Sequence, residues 1–240
     1  MKKTLIFLLL TVTMCSGCAG IAENPEKMPD MSRSIATKEH STQMAFETNV
    51  ISFEIEPNDG CPRYNAIVEI KNTGDTAIHL GWTPFSVTDS ENKLIATENS
   101  SAIYAQPSVV YPGESGYYFA ARIELPSDID PNVSYNLVYD TGSIRPVDIE
   151  TVKDYEVINV SFPEGDYTET IGEIVNGSDT GDYDALCIGY DKAGKIVTIG
   201  GTMGELDPNH NTYFEIYNTA AFGKDTIDTY KILARTHCYE

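Results

Sequence analysis

The chain has 240 residues, 41% of them hydrophobic, with 36 acidic against 16 basic side chains and a formal charge of -20. Fifteen tyrosines and eight phenylalanines supply the burial that a disordered acidic chain lacks, so a folded protein of one or two domains is expected. The same charge disfavours nucleic acid as a partner, because that binding depends on neutralising phosphates with Lys and Arg.

At the start of the chain, Lys2 and Lys3 precede an apolar run from Leu5 to Met14. The run is shorter than the roughly 20 residues a bilayer span needs, and the pattern is that of a secretion signal. Ser16-Gly17-Cys18 sets small residues before a cysteine and resembles the lipobox of bacterial lipoproteins, with Cys15 standing where such boxes carry Leu. The resemblance implies a signal peptide over 1–17, lipidation of Cys18 as the first mature residue, and attachment to a lipid bilayer facing outside the cytoplasm. The alternative is cleavage near Gly20 and release. Removing residues 1–17 takes away two lysines and no acid, leaving 14 basic against 36 acidic residues, a charge of -22. Residues 18–46 show no sustained period of 2 or 3.6 and read as a flexible tether, with an amphipathic helix around Met28 to Met44 as the rival reading.

Past residue 46, short runs rich in β-branched and aromatic residues alternate with clusters of Asn, Asp, Gly and Pro. Ile51–Ile55, Ala66–Ile70, Tyr117–Ile123, Tyr213–Tyr217 and Tyr230–Ala234 alternate apolar and polar, as half-buried strands do. No segment carries a capped 3.6 period over three turns, so the fold class expected is all-β. The halves also match each other. Ile67-Val-Glu-Ile-Lys-Asn72 and Ile171-Gly-Glu-Ile-Val-Asn176 agree at four of six places; Val87–Ile95 lies over Gly189–Val197; Tyr111-Pro112-Gly113 with Tyr117-Tyr118 lies over Asp207-Pro208-Asn209 with Tyr213-Phe214. Order and phase hold across the three blocks, predicting a duplicated unit the size of a small β-sandwich. The expected layout is one β-sandwich over 47–149 and a second over 150–240, with the boundary in the aromatic-poor stretch from Pro146 to Lys153.

The order of strand, Tyr-Asp, Gly-Lys turn, Val/Ile strand, Leu-x-Pro and aromatic strand resembles the FxLYD family of bacterial extracytoplasmic β-sandwich domains, found in tandem on lipoproteins. The namesake stretch is Phe85-Ser-Val-Thr-Asp89 in the first half and Cys187-Ile-Gly-Tyr-Asp191 in the second, which keeps only Tyr-Asp. The resemblance implies tandem immunoglobulin-like domains and an extracytoplasmic location, and no activity.

Candidate chemistry is sparse. Cys187 and Cys238 both fall in the second half and form a candidate disulfide, the alternative being two free thiols; Cys61 is left over in a turn. Asp179, Asp182 and Asp184 form a weak calcium candidate, without the spacing of an EF-hand loop, against the reading of a solvated acidic turn. His40, His79, His210 and His237 lack zinc-site spacing. Ser115 lacks the surroundings of a nucleophile elbow, and Gly200-Gly-Thr-Met-Gly204 has no adjacent Lys to make a phosphate cradle. Trp82, Tyr104, Tyr111, Tyr117 and Tyr118 are candidates for an aromatic surface that takes sugar or peptide, or for core packing. No catalytic set emerges and no cofactor is implied. The expectation is a membrane-anchored binding or interaction module whose partner is an envelope protein, peptide or glycan. The alternatives are a solute- or glycan-capturing lipoprotein, or a hydrolase with an unrecognised carboxylate pair.

Overall fold

The computed structural model describes residues 43–239 apart from 59, 99–102, 163–168, 218–219 and 222–226. The expected signal, Cys18, His40 and nearly all of the expected tether lie outside the described residues. In the first half the strands are β1 (Phe46–Glu56), β2 (Arg63–Asn72), β3 (Ile78–Leu80), β4 (Phe85–Thr88), β5 (Leu94–Glu98), β6 (Ile103–Gln106), β7 (Val109–Val110), β8 (Ser115–Glu124), β9 (Asn136–Tyr139) and β10 (Ile144–Pro146). A 3-10 turn, Ile149–Thr151, leads into β11 (Asp154–Ser161), β12 (Glu169–Val175), β13 (Asp182–Tyr190), β14 (Ile196–Glu205), β15 (Thr212–Tyr217), β16 (Ala220–Ala221) and β17 (Thr229–Thr236). All five predicted strands are present and the fold is all-β. Among the described residues no helix is long and apolar enough to cross a membrane.

Every described strand pairing is antiparallel. The sheets run β1-β2-β8-β6, β10-β3-β7, β5-β4-β9 and β15-β12-β11-β17-β13-β14-β16. Three of the apolar clusters bring faces of these strands together. The first joins one face of β2 and β8 (Tyr64, Val68, Ile70, Tyr118) to β3, β4 and β7 (Ile78, Leu80, Phe85, Val87, Val110). The second joins the opposite face of β2 and β8 (Ile67, Tyr117, Phe119) to β13 and β14 (Leu186, Ile188, Ile196, Ile199). The third joins the far side of β13 (Ala185, Cys187) to Ile174, Phe214, Ile216 and Ala234.

Ala66–Ile70 and Tyr117–Ile123 were expected to be half-buried, yet Ala66, Ile67 and Val68, and likewise Tyr117 to Ala120, are consecutively buried, as is Tyr183 to Gly189. Strands covered on both faces lose the alternation that a half-exposed strand keeps. Tyr213–Tyr217 does alternate, because β15 packs on one face only.

The matched sequence blocks adopt matched local geometry. Glu69 pairs with Tyr117 between β2 and β8, and Glu173 pairs with Tyr213 between β12 and β15. In the β4–β5 turn the Asp89 carboxylate accepts from the amides of Glu91 and Lys93; in the β13–β14 turn Asp191 accepts from Ala193 and Lys195. The turn position requiring positive φ is Asn92 (63°) in one and Gly194 (76°) in the other, both residue types that tolerate it. Asn72, fully buried, donates through Nδ2 to the carbonyls of Thr76 and Val110; Asn176 donates likewise to Asp179 and Asp207.

Candidate functional site

Strand β17 and the residues after it bring the two halves together through polar contacts. Arg235 has no exposed side-chain surface; its guanidinium donates to Asp154 at 2.5 and 3.2 Å, to Glu114 at 2.9 Å and to the Val109 carbonyl at 2.8 Å, and it lies 3.8 Å from the centre of the Tyr111 ring. Buried Asp184 on β13 accepts from the Ser108 amide at 2.7 Å and meets His237 Nδ1 at 2.8 Å. Burial pulls the His237 pKa down, but the hydrogen bond and charge of Asp184, helped by Asp182, outweigh it and the net shift is upward.

Beside this cluster opens a cleft of about 430 Å³, within the range of small-molecule sites. Its walls come from both halves of the chain: His79 and Leu80 from β3, Trp82 and Thr83 after it, Gln106 and Ser108, Tyr118 from β8, Met203 from β14, and His237 to Tyr239 at the end of the chain. Most of the lining is apolar or aromatic. Trp82, the only tryptophan of the chain, is 48% exposed, and Tyr239 sets its ring edge-on to His237 at 4.6 Å. Two buried polar atoms of lining residues have no hydrogen-bond partner, His79 Nδ1 and Gln106 Oε1. His79 Nε2 faces the Cys238 carbonyl at 2.8 Å, and since a carbonyl only accepts, that nitrogen carries the proton. Gln106 donates to the Thr202 carbonyl at 3.1 Å and rests on Gly201, where a Cβ would fall 1.4 Å from Oε1.

The candidates from sequence are placed as follows. No disulfide joins Cys187 and Cys238, and all three described cysteines are free thiols. Cys187 pairs in register with Ile232, and Cys238 lies six residues further along, about 20 Å away at strand rise, well beyond the roughly 7 Å a bridge spans. Burial pushes the Cys187 thiol up to about 11, the signature of an inert core cysteine. The three acids of the calcium candidate do not converge: Asp179 pairs with Lys153, Asp184 with His237 and Ser108, and no group of three metal-ligating acidic, His or Cys side chains occurs among the described residues. Gly200–Gly204 lies inside β14, where Gly201 admits Gln106 and Gly204 admits the Tyr183 hydroxyl. Ser115 opens β8 and donates to Glu69.

The five aromatics divide. Trp82 and Tyr118 line the cleft, Tyr117 belongs to the core between β8 and β13, and Tyr111 covers Arg235; the Tyr104 side chain lies outside those described. Sequence reasoning passed over His79, Gln106, Ser108, Met203 and His237 as cleft residues, and no local signal marks them, because 159 residues separate His79 from Cys238. No protein-family model matches this chain, and no curated protein does either.

Proposed function

We propose that this protein is a lipid-anchored extracytoplasmic binding module that takes its ligand in the cleft beside Trp82 and performs no catalysis. The carrying observation is the cleft itself: walled by both halves, faced with the exposed rings of Trp82 and Tyr239, and lined by His79, whose buried Nδ1 has no hydrogen-bond partner. Such a mixture of apolar wall and few polar atoms is what small-ligand sites use, the former for affinity and the latter for orientation. Anchoring rests on the lipobox-like Ser16-Gly17-Cys18. The tandem immunoglobulin-like reading rests on the recurrent pairing and turns of the two halves, and on the resemblance to FxLYD domains.

Against covalent catalysis, burial holds the Cys238 thiol above its ordinary pKa, and the Ser108 hydroxyl oxygen accepts the Cys238 amide rather than meeting a base. Two measurements test the proposal. Fatty-acid labelling should mark the wild-type chain and vanish in Cys18→Ser; label retained by that variant would refute the anchor. Trp82 fluorescence, which reports this cleft alone, should change saturably with a low-molecular-mass envelope extract, and an unchanged spectrum would refute the cleft as the binding site.

A further inference from the structure

We infer that the free edge and outer face of strand β15 form a docking surface for a basic segment of another protein, one that adds to the sheet as an extended strand. None of the residues concerned lines the cleft, so this surface does not depend on the cleft as a binding site.

Strand β15 ends its sheet. Its six residues pair with β12 in unbroken register, and no described strand lies on its other side. A terminal strand leaves a row of main-chain N–H and C=O groups open to pairing, and proteins usually blunt such edges with bulges, prolines, lysines or short strands. The other terminal strands of this molecule are blunted in these ways. β1 is broken by a bulge between Val50 and Ser52, β10 carries Pro146, β7 and β16 have two residues each, and β5, β6 and β9 are all shorter than β15. β15 has no bulge, Pro or Lys.

The face beside this edge selects the partner. Phe214 and Ile216 point into the core, while Tyr213 and Tyr217 are 58% and 60% exposed, with Glu215 between them on the same face. Across on β12, Tyr213 pairs with Glu173, Tyr217 with Glu169, and Glu215 with Ile171. Tyrosine and carboxylate therefore intermix over two strands, and β15, β12 and the next strand β11 contain no Lys or Arg. A strand added beside β15 sets its own alternate side chains against Tyr213, Glu215 and Tyr217. Lys or Arg in those places meets a carboxylate across the strand gap and rests its charge against tyrosine rings. An acidic segment meets like charge instead. Main-chain hydrogen bonds along the edge supply affinity, and the charge of the face chooses a basic sequence.

The test titrates the full-length chain by calorimetry with three peptides: one alternating Lys and Val, one with Glu in place of each Lys, and one with Pro in place of each Val. The Lys-Pro peptide keeps the charge and cannot form a strand ladder. The Lys-Val peptide should bind with a Kd at least about tenfold below that of the Lys-Pro peptide, and the Glu-Val peptide should not bind. The double variant Glu173→Gln/Glu215→Gln should weaken the Lys-Val peptide at least about fivefold. Glu47→Gln/Glu91→Gln removes the same charge from exposed positions outside this face and should leave the Kd within about twofold. Far-UV spectra and melting temperatures of both variants should match wild type, and Trp82 fluorescence should stay unchanged during the titration. Equal affinity for the Lys-Val and Lys-Pro peptides, or equal weakening by the two double variants, means that net charge attracts any polycation and overturns the surface. So does a Lys-Val peptide that does not bind, or one that binds with a saturable change in Trp82, which would place it in the cleft.

Discussion

His237 shows how one side chain couples the end of the chain to the core. Its ring is held by Asp184, which also accepts the Ser108 amide from the other half, so protonation of His237 strengthens a contact that links β13 to the segment before β7. Its folded pKa is raised above the ordinary 6.5, and the stabilisation it contributes is therefore complete below that value and lost as pH rises through the folded pKa. The melting-temperature difference between wild type and His237→Gln should be largest near pH 6 and shrink toward pH 9. A difference that grows with pH would show that the pair is not charged in the fold. None of this was legible locally, since Asp184 reads as part of an acidic turn and His237 as a solitary histidine.

Among elements, turns are the most legible part of the chain and strand burial the least. A carboxylate that caps its own turn acts over four residues, so Asp89 and Asp191 announce their hairpins in sequence. Asn72 and Asn176 close β2 and β12 in the same way, each bridging two carbonyls from separate parts of the chain. Asn72→Ala and Asn176→Ala each leave those carbonyls unpaired in a buried site, costing about 2 kcal/mol. For a fold of this size that is a melting-temperature loss of about 4–8 °C by calorimetry. Asn72→Asp should be as damaging, because a carboxylate cannot donate. A silent substitution at either position would remove the structural equivalence of the two. Burial on both faces was missed in β2 and β8 because alternation records one covered face and carries no trace of what packs on the other.

At the scale of the whole molecule the two halves share a core. Ile67 and Phe119 from the first half are fully buried against Leu186 and Ile199 of the second, and Arg235 of β17 satisfies Glu114 and Val109 across the same boundary. Residues 41–240 accordingly form one compact unit. Such coupling predicts a single unfolding transition. Phe214→Ala, in the core of the second half, costs about 3–5 kcal/mol and should lower the midpoint seen by Trp82 in the first half as much as that seen by far-UV circular dichroism. A Trp82 transition left in place by that substitution would mean that the halves unfold separately.

The sequence alone determined the all-β class, five of the strands, the hairpin chemistry and the internal matching of the halves. Each depends on residues within a few positions of one another, or on side chains that repeat with the period of the backbone. Only the tertiary structure decided that β8 packs against β13, that Cys187 and Cys238 stand far apart, and that His79, Trp82, Met203 and the last residues of the chain enclose one cleft. Those outcomes depend on which faces of which sheets meet, and a face that is covered on both sides leaves the same apolar letters whatever covers it.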